Sequence, residues 1–423
     1  MQSFIQDTQS ILQSFKMSLR FNKLASAFIG IAFSILWVLV IVAFGSAFKL
    51  VEITPFEIIN KFVVSPGIGL CSMVGLLVSS IKSVEWGEFA VLVVLILGLL
   101  IIWSVFAGSV TRMAALEFAR GEKTGLKKPI SFAMKKFLSY FWSPLTPVLG
   151  VLFFIACNVV GGLLGKIEFA GEIAVAVGFP LAIVSGFLIV FLGIVGIIGF
   201  ILMYPAISSE GSDAFDAISR AYSYVLSRPL HFLTLFITII VCGTVLSFIA
   251  GYGACLVMRT SYFTVGLGMG GKLGEIRAFI DSLSGAGDTI TALSPISMRI
   301  AALLFMLYIV LVKMAVGSII IAFAGSASTI TYLIMRKDVD GTKMSDVFIE
   351  DEEDDEINTN EEQNEEAEVK DEGVKAVAEE TVPPSPEPIV TPEPEESKSE
   401  KPEKPETPKK PPKNNGSSQK KQE

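Results

Sequence analysis

The chain has a single histidine, His231, and four cysteines, Cys71, Cys157, Cys242 and Cys255, none of them spaced as CxxC. That spacing excludes a zinc ribbon and a histidine-based metal cluster, and the lone imidazole leaves few general bases. The cysteines stand in apolar surroundings, where a reduced thiol behaves as a small hydrophobe, so they are expected in the core. His231 is expected to be an interfacial ring with one wet edge. Carboxylates are just as scarce where the chain is greasiest, for no Asp or Glu falls inside any of the long apolar runs. With no carboxylate pair, Ser/His/Asp set or Cys/His set in those runs, the reading is of a non-enzymatic protein without a cofactor or metal.

What is abundant is hydrophobic surface. Over 423 residues the hydrophobic fraction is 51% and the mean hydropathy is +0.59, which places the chain in the membrane class. The net charge of -8 hides two opposite parts. Residues 346–423 hold 25 acidic and 10 basic side chains, whereas the remainder holds 24 basic and 17 acidic ones. A basic body suits anionic headgroups, and an acidic polar tail suits solvent. From residue 350 the composition is an acidic run followed by Pro/Glu/Lys repeats, which cannot bury a core, so 350–423 is expected to be a disordered cytoplasmic tail.

The body, 1–349, contains six runs of about 20 or more apolar residues, the length needed to cross a bilayer. They fall at 25–48, 89–110, 145–164, 179–204, 232–257 and 300–323. A cleaved signal peptide would have an apolar core of only ~7–15 residues, so the first run is read as a span. Six spans put both termini on one side. Fifteen Lys/Arg fall in the segments assigned to that side against eight opposite, which makes it the cytoplasmic side, with both termini inside. Residues 62–81 are apolar but broken by Pro66, Gly67 and Gly69; they are read as a re-entrant or interfacial segment, with a seventh span as the alternative.

Three short amphipathic stretches precede spans. In 212–230, Phe215, Ile218, Tyr222, Val225 and Leu226 share a face, Ser212 is the expected N-cap, and Arg228-Pro229 ends the helix. An earlier counterpart places Ile130, Ala133, Met134, Phe137, Leu138 and Phe141 on one face, and a fainter copy uses Phe4, Ile11, Leu12, Phe15 and Leu19. The fold class expected is therefore an all-α integral membrane protein of six transmembrane helices, with in-plane amphipathic helices in three hairpin repeats. The echo of Phe106-Ala107-Gly108-Ser109 in Phe323-Ala324-Gly325-Ser326, each ending a span, fits such repeats. Gly161 and Gly165, and Gly186, Gly193, Gly196 and Gly199, suggest that spans three and four lie inside the bundle. Segment 260–298 is expected on the outer leaflet, through Leu273, Ile276, Phe279, Ile280 and Leu283.

Candidate sites are few. Gly266 to Lys272 matches GxxxxGK, but Leu273 replaces the magnesium-binding hydroxyl and no strand precedes it, so a flexible outer turn is expected. Asp338-Val339-Asp340-Gly341 resembles part of a calcium loop with two wrong ligands and is read as a polar turn closing the last helix. Lys313 sits near the centre of span six, where a charge costs about 2.5–3.5 kcal/mol on insertion scales. Two readings stay open: it lines a transport or lipid-headgroup path, or it snorkels or bonds to Asn158, Thr234, Thr238 or backbone carbonyls. The cluster Lys123, Lys127, Lys128, Lys135 and Lys136 is read as an anionic-lipid contact, with no nucleic-acid role.

Residues 216–222 with Arg228-Pro229, together with 332–342, resemble the superfamily that includes the membrane domain attached to some glycerophosphoryl diester phosphodiesterases, in its planctomycete-type relatives. The likeness spans roughly residues 20–350. It implies a multi-pass bacterial membrane fold, and the phosphodiesterase catalytic domain has no counterpart here. The function expected is membrane organisation or partner anchoring, with membrane lipids and a cytoplasmic protein on the acidic tail as partners. The alternative is a transporter or lipid-handling protein with a path near Lys313.

Overall fold

Ten helices account for nearly all of the residues described in the structure, a computed structural model that describes residues 2–50, 86–283 and 296–349. The chain divides into two units, Met1–Glu350 and Asp351–Glu423; every described residue belongs to the first. The expectations for 62–81, for Cys71 and for the tail 350–423 lie outside the described residues. In order the helices are α1 Gln2–Ser18, α2 Phe21–Ala47, α3 Trp86–Arg120, α4 Lys127–Lys135, α5 Phe137–Leu164, α6 Ala170–Glu210, α7 Ala214–Ser227, α8 Pro229–Met269, α9 Gly271–Leu283 and α10 Ile296–Asp340. No strand occurs among the described residues. Six helices, α2, α3, α5, α6, α8 and α10, are long and apolar enough to cross a membrane, so this is a multi-pass membrane protein.

The spanning helices outrun their apolar stretches. At 1.5 Å per residue, the 45 residues of α10 extend about 68 Å, more than twice a ~30 Å hydrocarbon core. The surplus is packed at one end. In α6 every residue from Leu202 to Ser209 is buried, and in α10 every residue from Ser326 to Arg336 is buried. A helix buried on all sides must be surrounded; α1, α3, α7 and α8 supply Ile11, Ala114, Ala217, Tyr224 and Leu235 to the same core. Glycines let the backbones close up. The Cβ missing at Gly108 would lie 3.0 Å from the Tyr140 ring, and that at Gly325 would lie 2.7 Å from Val110.

Several local expectations are corrected. The expected in-plane stretch over 130–141 is split by a break at Lys136, so Phe137, Leu138 and Phe141 belong to the spanning helix α5. That helix runs straight through Pro144. Proline deprives the carbonyl four residues earlier of its donor, and here the Ser143 hydroxyl donates to that carbonyl, Tyr140 O, at 3.3 Å. In α7 the N-cap is Asp213, whose side chain accepts from the Asp216 N–H at 2.8 Å, not Ser212. Its packed face is Ala214, Ala217, Ala221, Tyr224 and Val225, while Phe215 and Leu226 are exposed. Small residues settle onto α6, where Gly199 lies against Ala221; of the expected face, Val225 is buried and Ile218 and Tyr222 pack against the core. The break at Arg228-Pro229 is as expected, with Pro229 opening α8.

Spans three and four are the least buried of the six, contrary to expectation. Cβ positions at Gly161, Gly186 and Gly193 meet nothing within 4 Å. The described part of 260–298 is not a separate segment up to residue 269. Instead α8 continues to Met269, turns at Gly270 with φ +60°, and returns as α9. Leu273, Ile276 and Ile280 are buried there, with Ile276 and Ile280 clustered with Ala302 of α10. Cys157 and Cys255 are exposed and Cys242 is half-buried, so none is fully enclosed.

Candidate functional site

Polar side chains gather at the packed end, in three groups. In the first, Arg112 of α3 is 4% exposed. Its Nη1 donates to Ser208 O of α6 at 2.7 Å, and its guanidinium lies 4.1 Å from the Phe132 ring centroid of α4, a cation–π geometry. The Ser208 hydroxyl is bonded to Thr111 at 2.5 Å and to the Tyr140 hydroxyl at 2.8 Å.

In the second, Glu210 ends α6 and holds three donors. Tyr332 O–H and Arg336 Nη1 share Oε1, the latter at 3.4 Å, and Arg220 Nη1 reaches Oε2 at 2.8 Å. Arg220 also pairs with Asp216 at 2.9 Å. The Tyr224 hydroxyl donates to Asp340, and burial together with that carboxylate pushes the phenol up to about 12, so it keeps its proton. Arg336 further donates to the carbonyls of Lys343 and Asp346, and Phe348 N–H donates to Ser209 O at 2.8 Å. These bonds strap residues 341–349 back across α6. Gly211, at φ +62°, turns beneath the strap, and a Cβ there would strike the Phe348 ring at 2.7 Å.

The third group ties α2 to α3. Lys23 Nζ lies 2.8 Å from Glu117 and 3.4 Å from the Ser326 hydroxyl of α10, and Arg20 shares the same carboxylate at 3.1 Å. Glu117, Glu210 and Asp340 are met by cations or hydroxyls from other segments, and Asp216 by Arg220 one turn further along α7. Such sites fasten helices together.

His231 stands at the start of α8 between two carboxylates. Its Nε2 is 3.4 Å from Asp7 of α1 and its Nδ1 is 3.0 Å from Asp338 of α10. Burial raises the Asp7 pKa, against the pull of His231. The two carboxylates sit at opposite edges of the ring and do not converge. Among the described residues no group of three or more His, Cys, Asp or Glu is placed to hold a metal. Asp338 and Asp340 are thus ligands of His231 and Tyr224, and Gly341, at φ +70°, closes α10 as the expected polar turn.

Lys313 lines a cavity of about 970 Å³ between α8, α9 and α10. Asn158 accepts from Ser185 at 2.6 Å, and the Thr234 and Thr238 hydroxyls donate to carbonyls of α8 itself. None of these three residues lines the cavity. The rest of the wall is mostly apolar, including Gly251, Cys255, Val312 and Val316, but Arg259 and Arg277 join Lys313 in it. In the basic cluster, Lys123, Lys127, Lys128 and Lys135 are exposed and Lys136 is half-buried. Met134 and Leu138 are exposed beside them, while Phe132 and Ala133 turn inward to the core.

Sequence reasoning missed the Glu210, Arg112 and His231 groups. In the Arg112 and Glu210 groups the contacts that join different spans link positions 68 to 126 apart, as in Tyr140 with Ser208 and Arg336 with Glu210, so no local pattern announced them; His231, Asp338 and Asp340 were visible one by one and not as partners. No family model, curated protein or solved structure matches the chain.

Proposed function

We propose that this is a non-enzymatic protein of a bacterial cytoplasmic membrane, with both termini inside, that organises the membrane or anchors partners. On this reading the packed end is cytoplasmic, in line with the excess of Lys/Arg assigned to that side. The observation that carries it is the rim of that end. Met134 and Leu138 are exposed apolar side chains in the same stretch as exposed Lys127, Lys128 and Lys135, and Phe215 and Leu226 are exposed on α7. A greasy and basic rim around a rigid, ion-paired centre is suited to gripping the inner leaflet. The strap that ends at Ile349 launches the acidic segment 350–423 from a fastened point, and that segment is proposed to be the disordered arm that reaches a cytoplasmic protein. The three hairpin repeats and the kinship with the phosphodiesterase-linked membrane domains belong to the same proposal.

Single-cysteine variants at Lys127 and Ser212 should label only after the inner membrane is opened; labelling in intact cells would overturn the orientation. Deleting 350–423 should leave the membrane body monodisperse and empty the set of proteins cross-linked to it in cells. An unchanged set would overturn the anchoring role. A second reading, a transporter or lipid-handling protein, is favoured by the cavity beside Lys313. Replacing Lys313 with Leu should then abolish flux in proteoliposomes.

A further inference from the structure

We infer that the cavity between α8, α9 and α10 is a binding site for one anionic phospholipid, drawn from the leaflet at the end remote from the packed core. The inference deepens the lipid-handling reading and is independent of the anchoring one. Three features carry it: size, lining and level.

The volume, about 970 Å³, is at the top of the range for ligand cavities, which are mostly apolar with a few placed polar groups. The lining has that character. Three cations from three different helices, Arg259 of α8, Arg277 of α9 and Lys313 of α10, enter a wall whose other described residues are largely apolar. Glu275, between the α9 residues that line the wall, is exposed. Arg277 lies 5.9 Å from the Tyr262 ring centroid, and Tyr262 stacks on Phe305 of α10 at 5.9 Å, so one cation is held against the aromatic wall. Arginine forks match phosphate oxygens in geometry as well as charge, and lysine adds a point charge.

The level explains the lysine. By hydropathy Lys313 is in the middle of span six, but α8 and α10 are antiparallel neighbours with a readable register. Gly243 lies against Phe323, so ten residues further along each helix Gly253 comes level with Lys313. Val257, the end of the apolar run of α8, is only about 6 Å beyond that level, and Arg259 about 9 Å beyond, at 1.5 Å per residue. A lysine stem is long enough to reach up this distance. A phosphate at the level of Arg259 therefore meets Arg259, Arg277 and an upstretched Lys313, while an acyl chain runs down the wall formed by Gly251, Cys255 and Val312. Zwitterionic lipids carry their own cation next to the phosphate and lose part of that attraction.

The full-length protein, purified in mild detergent and stripped of lipid, is titrated with dioctanoyl phosphatidylglycerol, dioctanoyl phosphatidylcholine or inorganic phosphate, and bound ligand is counted by native mass spectrometry. One phosphatidylglycerol should bind about tenfold or more tighter than phosphatidylcholine, since the choline cation offsets part of the attraction of the phosphate to the three basic side chains. Phosphate alone should neither bind nor compete at matched concentration. The pair Arg259→Gln with Lys313→Gln should lower phosphatidylglycerol to the phosphatidylcholine level, Lys313→Arg should keep the preference, and Lys127→Gln with Lys128→Gln should not alter it. Arg277→Gln, at an exposed position of α9, reads the same loss if the pair does not purify. Equal binding of the two lipids, a preference that survives these substitutions, or full competition by phosphate would overturn the site. Selective binding without lipid movement in proteoliposomes retires the handling reading and leaves the site standing.

Discussion

The two ends of α6 and α10 differ in a way that inverts the pattern of a water-soluble protein. At the packed end both helices are enclosed, and the enclosed residues include Ser208, Ser209, Thr329, Thr331, Tyr332 and Arg336. Along the remainder the same helices show Leu181, Phe187, Ile197, Leu303 and Leu307 outward. The greasy surface is thus outside and much of the polar surface inside. Lipid chains are as apolar as leucine, so no hydrophobic drive pulls the exposed stretches together; close backbone approach and buried polar bonds must hold the helices instead. The packed end has both among many helices, whereas toward the far end α5 and α6 hold each other, through Gly171 against Leu164 and Ser185 bonded to Asn158, and leave their other faces outward.

The largest test of this difference is Glu210→Ala. It removes the anion shared by Tyr332, Arg336 and Arg220 and leaves Arg336, whose side chain is 5% exposed, as a buried charge without its carboxylate. Breaking a buried pair from one side costs about 3–5 kcal/mol. The thermal midpoint in detergent should fall steeply, or the protein should fail to run as a single species. A midpoint close to that of the parent would mean that the network is incidental to the packed end.

A matched pair of glycines sharpens the comparison at intermediate size. A Cβ at Gly98 of α3 would overlap the Trp37 ring of α2, whose Nε1 donates to Leu95 O at 3.3 Å, whereas one at Gly161 of α5 meets open space. Gly98→Leu should cost about 1–3 kcal/mol through overpacking. Gly161→Leu should stay within about 0.5 kcal/mol, as exposed changes do. Equal losses at the two positions would show that spans three and four are enclosed after all, as their glycines had suggested.

Those glycines illustrate what was legible in the sequence. The six apolar runs were, because a bilayer sets a minimum length of continuous hydropathy, and so was the Arg228-Pro229 break, which is a local backbone constraint. The helix ends were not. Hydropathy stops at Phe323, but α10 continues for seventeen residues to Asp340, because serines, threonines and Arg336 find partners on other helices. The face of α7 was legible in part: Ile218, Tyr222 and Val225 pack against the core as expected, while Ala217 and Ala221 were missed because small residues leave no hydropathy stripe. Lys313 was legible as a charge out of place. Its companions Arg259 and Arg277 were not, since only the α8–α10 register brings them to one cavity.

The smallest test concerns the seam between the two regimes, where α1 meets α8 and α10 through Asp7, His231 and Asp338. Burial raises the Asp7 pKa above the ordinary 3.8, with the attraction of His231 opposing it. A carboxyl that binds its proton more tightly when folded loses stabilisation as pH rises above the unfolded value. At pH 7 the ionised Asp7 therefore carries a net penalty, and Asp7→Asn should raise the thermal midpoint slightly. The gain should shrink as the pH falls and vanish below about pH 4, where the carboxyl is protonated in both states. A loss at pH 7 would instead mean that the contact with His231 outweighs the burial of Asp7, and that this seam is held by charge as firmly as the Glu210 centre.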